Sequence, residues 1–150
     1  ITVLRGRLAD FRAFLEDKLQ AGVEAARRED ALAIDAATTA AALKPELAAL
    51  IDRAGPFGSG NAEPVLVLPA HTVVYAEEVG TAHVRTRLKS GDNATIDAIA
   101  FRAAGQPVGR ALAENRGRQL HVAGSISIDR WQGRERVQFR ILDVAVPGRG

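Results

Sequence analysis

The chain has 150 residues, 47% apolar and 25% charged, with a net charge of +2, which describes one ordinary globular unit able to bury roughly 68–70% of its unfolded surface without a covalent staple. With no cysteine, disulfide scaffolds and thiolate metal sites are excluded and a reducing compartment is compatible. No apolar run approaches the ~20 residues of a membrane span, and nothing at the start reads as a signal peptide.

From Leu8 to Arg27 the apolar residues Leu8, Phe11, Leu15, Leu19 and Val23 recur every three or four positions, one face of an amphipathic helix widened by Phe14 and Ala26. Ala31–Ile34 is a short strand candidate. The Ala-rich stretch Thr38–Asp52 reads as helix, with Pro45 in the first turn of its last portion and Leu43, Leu47, Leu50 and Ile51 on its buried side. After residue 60 the period becomes two. Val65–Leu68 and Thr72–Tyr75 form one long strand, broken or bulged at Pro69. In His83–Lys89, Val84, Thr86 and Leu88 face one way, and His83, Arg85, Arg87 and Lys89 the other. Gly91-Asp92-Asn93 is a turn, and Ala94–Arg102 follows as a strand with Ile96, Ile99 and Phe101. Pro107–Asn115 is a short helix and Leu120–Asp129 a strand. After a turn at Trp131-Gln132-Gly133, Arg134–Val146 is the last strand. It has Val137, Phe139 and Ile141 inward and Arg134, Arg136, Gln138 and Arg140 outward. The parity changes at Leu142, which requires a bulge near Ile141-Leu142 or a stretch buried on both faces.

The expected fold class is α+β, an N-terminal helical segment followed by a five-stranded OB-fold β-barrel, because five strands with a helix between the third and fourth is the OB element order. Charge supports an oligonucleotide ligand. Residues 80–140 hold 11 basic and 5 acidic side chains, and ten of the 11 are Arg, the planar donor suited to phosphate oxygens. The bland account is a solvated, Arg-rich surface. The candidate DNA-binding residues are Arg85, Arg87 and Lys89 on one strand and Arg130, Trp131, Arg134, Arg136 and Arg140 at and after the last hairpin. Single-strand binders usually add stacking aromatics, and here the aromatic fraction is only 5%. Of Tyr75, Phe101, Trp131 and Phe139, the expectation places Phe101 and Phe139 in the core. Trp131 either stacks on a base or lids the end of the barrel.

The junction Pro56-Phe57-Gly58-Ser59-Gly60-Asn61-Ala62-Glu63-Pro64 contains G-x-G. It follows a helix and enters a strand, the reverse of a dinucleotide fingerprint, and no Gly-Lys-Ser/Thr follows for a phosphate loop. It reads as a tight structural connection in which Phe57 pins the loop to a core, Gly58 and Gly60 allow positive φ, and Asn61 closes an Asx turn. The functional alternative is a nest of backbone N–H groups around a phosphate.

Gly-Pro-Phe-Gly-Ser-Gly-Asn-Ala-Glu-Pro-Val at 55–65 resembles the junction motif of RecJ-type single-strand-specific DNA exonucleases. The resemblance continues through Val79-Gly80, His83-Val84, Ile96-Asp97-Ala98-Ile99-Ala100-Phe101 and Trp131-Gln132-Gly133 with Val137-Gln138, in the family's order. Residues 1–28 resemble the end of the family's preceding DHHA1 domain. The resemblance implies three parts: a remnant of that domain with a helical connector over 1–54, a Pro/Gly junction over 55–64, and an OB single-stranded-DNA-binding domain over 65–147. It implies a bacterial, cytoplasmic parent that degrades single-stranded DNA from the 5′ end in repair and recombination, with Mn²⁺ or Mg²⁺ as cofactor and repair proteins as further partners. This chain, which opens at Ile1 without Met, is then a C-terminal fragment. The family's Asp-His-His signature does not occur in it. No catalytic residue, metal ligand or cofactor is therefore assigned to the segment, which is expected to be inactive alone. The alternative is a barrel that braces the same enzyme or docks a protein without touching DNA.

Overall fold

A computed structural model describes residues 4–29, 31–131 and 134–148, with the backbone alone at 24–29, 129–131, 134 and 135. The chain divides into two compact units, Ile1–Ala33 and Ile34–Gly150. The first holds a 3₁₀ turn at Arg5–Arg7 and helix α1, Leu8–Glu29. On α1 the apolar row repeats as the sequence requires, and Leu8, Phe14, Leu19 and Val23 remain exposed.

The second unit runs β1 (Ala36–Ala37), a 3₁₀ turn (Ala40–Ala42), α2 (Pro45–Arg53), β2 (Leu66–Val79), β3 (His83–Lys89), β4 (Thr95–Ala100), α3 (Pro107–Glu114), β5 (Gln119–Trp131) and β6 (Arg134–Ala145). Strands β2 to β6 close a barrel in the order β2-β3-β4-β6-β5, with β5 returning to β2. All barrel pairings are antiparallel except β4 with β6, which is parallel at Ala98↔Phe139 and Ile99↔Arg140. This is the OB architecture, with α3 between the third and fourth barrel strands.

The closure depends on β2, which pairs with β5 through its first half and β3 through its second. Two extra residues let it turn the corner. Three steps from Leu68 to His71 oppose two on β5, so the bulge lies at Pro69-Ala70, where Ala70 takes φ 50°. Two steps from Val73 to Tyr75 oppose one on β3, which makes Val74 the second extra residue. The buried positions Leu66, Leu68, His71, Val73 and Ala76 therefore advance by two, three, two and three, and each bulge restores the inward phase that pairing on the next strand needs. The Thr86 hydroxyl, fully buried, donates to the Tyr75 carbonyl at 2.5 Å beside the second bulge. A third bulge puts Leu142 out of register on β6, between Gly124↔Ile141 and Ala123↔Asp143, where the parity change in the sequence requires one. Gly124 sits against it, and a Cβ there would lie 2.1 Å from the Arg140 carbonyl oxygen.

The core is built from Leu68, Val73, Leu88, Leu112, Leu120, Val122 and Phe139, all fully buried. Phe139 is inward as expected. Phe101 is not: it lies just past the end of β4 and is 52% exposed. The inward residues of β4 are Ile96, Ala98 and Ala100, so Ile99 and Phe101 fall on the outer parity. Between α1 and β2 the structure differs from the sequence reading in three places. The short strand lies at Ala36–Ala37 rather than 31–34, parallel to β2 at Leu66 and Val67. It is held there by Asp35, whose backbone N–H donates to the Val65 carbonyl and whose carboxylate accepts the Val65 N–H, both at 2.8 Å. The long helix over 38–52 is two pieces, because Pro45 forces Lys44 into an extended conformation, φ −112° and ψ 161°. Leu50 is 59% exposed, whereas Leu43 is buried and Leu47 and Ile51 pack partly against the core.

The junction folds as a four-residue hairpin closed by Gly58 N–H to Asn61 O at 2.8 Å and Asn61 N–H to Gly58 O at 3.1 Å. The Asn61 amide reaches back to the carbonyls of Pro56 (3.0 Å) and Ala54 (3.3 Å) instead of forming an Asx turn, and so ties the loop to the end of α2. Phe57 is half-buried and stands outside the core. Only Gly60 has positive φ, at 92°; Gly58 has an ordinary φ and open space where a Cβ would sit. The two glycines should therefore separate in a melting experiment. Gly60→Val is expected to lose ~1–3 kcal/mol, the range for a strained backbone position. Gly58→Val is expected to stay within ~0.5 kcal/mol of the parent, as for an unconstrained surface site. Equal losses in denaturant titration would contradict this assignment.

Candidate nucleic-acid interface

The outer face of β3 and β4 is a ladder of facing pairs: Arg85 opposite Ile99, Arg87 opposite Asp97, Lys89 opposite Thr95. On the other side of β3, Glu77 faces Arg85 and Tyr75 faces Arg87. Cross-strand neighbours lie ~4.5–5.5 Å apart at Cβ, so opposite charges at these positions meet directly. Arg85 contacts the Glu77 carboxylate at 2.5 Å, and Arg87 contacts Asp97 at 2.7 Å with its guanidinium carbon 5.9 Å from the centre of the Tyr75 ring. These hydrogen bonds, to Glu77 and to Asp97, hold both guanidinium groups above their ordinary pKa.

The basic row that alternation places outward is thus outward, but two of its three members are already paired. Lys89 has no ion pair among the described residues. Arg140 bridges β6 to the junction, donating to the Glu63 carboxylate and to the Ser125 hydroxyl at 3.1 Å. Arg136 is exposed and has no ion pair among the described residues. It joins Lys44, Pro45, Arg87, Asp97 and Val137 in lining an open groove of about 370 Å³ between the start of α2 and strands β3, β4 and β6. The structure brings Arg87 and Arg136 to one groove, leaves Arg85 and Lys89 in the same β3 row as Arg87, and adds Lys44, which the sequence reading missed. The side chains of Arg130, Trp131 and Arg134 lie outside the described residues. The backbone places Trp131 opposite Arg134 at the end of the β5–β6 hairpin.

The three histidines all act as acceptors for backbone N–H groups. His121 Nδ1 accepts Ala70 N–H at 3.1 Å, and His83 Nδ1 accepts Arg102 N–H at 3.0 Å. Both donors belong to non-glycine residues with positive φ, 50° and 54°. His71, 2% exposed, accepts Ala40 N–H on Nε2 at 3.0 Å, and its Nδ1 lies 2.9 Å from the Pro69 carbonyl oxygen. That pair of contacts selects the neutral tautomer with the proton on Nδ1.

Residues 34–143 match the RecJ OB domain family. The chain belongs to that family. Among solved structures it is similar to RecJ from Thermus thermophilus in complex with Mg²⁺, with TM-score 0.55 and 23% identity over 89% of this chain and 20% of that one. It is also similar to the same protein in complex with Mn²⁺, with TM-score 0.57 and 22% identity over 90% and 20%. These likenesses are likenesses of fold, and this RecJ OB chain covers about a fifth of the length of either structure. No curated protein sequence matches significantly. A two-metal nuclease centre needs several carboxylates and imidazoles converging on ions ~3.5–4 Å apart. Among the described residues no three His, Asp or Glu side chains are so placed. Each imidazole also has a ring nitrogen occupied by a main-chain N–H. The described residues do not fit such a centre.

Burial lowers the His71 pKa below its ordinary value of 6.5. The folded state keeps the ring neutral while the unfolded chain takes up a proton below about pH 6.5. The stability this gives is therefore complete above that pH and declines as pH falls toward the lowered folded-state value, by at most ~1.4 kcal/mol per pH unit. Urea melts between about pH 7.5 and 5, a window that brackets the ordinary imidazole pKa, should show the decline in the parent and a flatter dependence in His71→Gln. Identical slopes would remove His71 as the cause.

Proposed function

We propose that this chain is the OB portion of a RecJ-like exonuclease that degrades single-stranded DNA from the 5′ end, in bacterial cytoplasmic repair and recombination. The barrel holds single-stranded DNA along β3, β4 and β6 and guides it toward a Mn²⁺- or Mg²⁺-dependent centre elsewhere in a longer protein; this segment alone is inactive. The observation that carries the reading is the cluster of Lys44, Arg87 and Arg136 lining an open groove on the barrel of a RecJ OB family member, with Lys89 in the same outward row as Arg87. The ion pairs of Arg85 and Arg87 do not oppose it strongly. Their side chains are 52% and 45% exposed, and exposed pairs of this kind contribute ~0–1 kcal/mol and yield to competing anions. A phosphate replaces the carboxylate on the same guanidinium fork. Repair proteins would be further partners of the parent.

One observation favours a second reading, a barrel that braces the enzyme or docks protein without contacting DNA. Arg85, Arg87 and Arg140 each already have a carboxylate partner, as expected of a face whose charge serves the sheet itself.

Binding of oligo-dT measured against salt separates the two. The DNA reading expects weak, sequence-tolerant binding, with each neutralised phosphate contributing about −0.7 to the slope of log K against log salt. Replacing Lys89 and Arg136 by Ala should flatten the slope by up to about 0.7 each. Glu77→Gln with Asp97→Asn should tighten binding, because the guanidinium groups then meet phosphate without displacing a carboxylate. No binding at low salt, or binding indifferent to all four substitutions, would favour the bracing barrel.

A further inference from the structure

Phe101 is an aromatic side chain that the sequence places in the core and the fold leaves 52% exposed. Single exposed apolar residues are ordinary and by themselves mean little. Phe101 differs in being held. Its ring meets the His83 imidazole edge-on, with centroids 5.1 Å apart and planes at 75°. His83 is fixed in turn, because its Nδ1 accepts the N–H of Arg102, the residue after Phe101, across the β3–β4 edge. A second bond, Ala104 N–H to Ala82 O at 3.0 Å, clamps the same two segments. Arg102 itself takes φ 54°, a conformation unfavourable for a side-chain-bearing residue that this clamp maintains.

The held ring is also well placed. Just past β4 it follows the parity of the outer row Thr95, Asp97, Ile99, and on β3 His83 continues the outer row Lys89, Arg87, Arg85. The aromatic pair thus stands at one end of the cationic ladder, on the same face as Tyr75 beside Arg87. Nucleic-acid single strands are held by this combination, cations along the backbone and a rigid aromatic face for a base. A held ring loses little side-chain entropy on stacking.

We propose that Phe101, braced by His83, is a base-stacking platform at the β3–β4 end of the barrel's outer face, its ligand one unpaired base of a single-stranded DNA. The inference rests on the reading that this face binds single-stranded DNA, and it assigns to Phe101 the recognition of the base as distinct from the phosphates.

The test compares a dT12 oligonucleotide with an abasic 12-mer of the same phosphate count, titrated against the parent chain and its Phe101→Ala, Phe101→Leu and Phe101→Tyr variants. The parent should prefer dT12. Phe101→Ala and Phe101→Leu should weaken dT12 binding by about 5- to 150-fold, the range for one stacked base, with abasic affinity and salt slope unchanged. Phe101→Tyr keeps the aromatic face and should stay within about twofold of the parent. Should the Ala variant melt early, the Leu variant keeps the apolar bulk and removes the aromatic face, and carries the test. A preference for dT12 that survives in both variants overturns the inference and leaves the DNA reading standing. So does a parent that binds both oligonucleotides equally. A parent that binds neither removes the DNA reading, and the inference with it.

Discussion

The barrel closes because one strand changes partners without changing which of its residues face inward. β2 is fourteen residues long and has β5 on one side and β3 on the other. A strand with perfect alternation would remain flat between them, whereas closure needs strong local twist and a bend. The bulges at Pro69-Ala70 and Val74 supply both. Proline suits the first because it has no N–H to lose from the ladder, and His121 accepts the N–H of Ala70 that the bulge would otherwise leave without a partner. His71, immediately after, turns into the core and binds the Ala40 N–H. The same irregularity therefore bends the strand and anchors the connector between α1 and β2 to the barrel.

The closure also decides what reaches solvent. With Val84, Thr86 and Leu88 buried, Arg85, Arg87 and Lys89 project outward, and the register of the two flanking hairpins sets carboxylates against two of them. The result is a face of exposed charge pairs on a fixed framework. Exposed ion pairs of this kind contribute little to stability. They keep guanidinium forks extended and spaced along the sheet. Lys44 reaches the same groove only because Pro45 ends the extended segment and starts α2 at that point.

Much of this was legible from residue order. The period-two segments, the bulge at Pro69, the parity change at Leu142 and the Pro-initiated helix α3 all follow from patterns whose physical cause is local. The ion pairs were missed, although residue spacing carries a signal for them. Arg87 and Asp97 are equidistant from the turn at Asp92, and Glu77 and Arg85 from residue 81, so an antiparallel hairpin makes each pair meet. Phe101 was misplaced because ring size outweighed a polar signal in its own phase, where Thr95 and Asp97 mark the outer row of β4. The inward phase is instead carried by Ile96, Ala98 and Ala100, with Ala98 paired to the fully buried Phe139, a complement of small against large that no single strand's pattern contains. Gly58 and Gly60 looked alike in sequence, and only the hairpin geometry tells them apart.

The central claim is that single-stranded DNA lies along the outer face of β3, β4 and β6. Amide chemical-shift mapping of the ¹⁵N-labelled chain during titration with dT12 tests it most directly. The account predicts progressive shifts in a contiguous patch containing Arg85, Arg87, Lys89, Thr95, Phe101 and Arg136, with Lys44 at its margin and α3 unaffected. Shifts confined to α3 and the β5 surface, or none at saturating DNA and low salt, would contradict it.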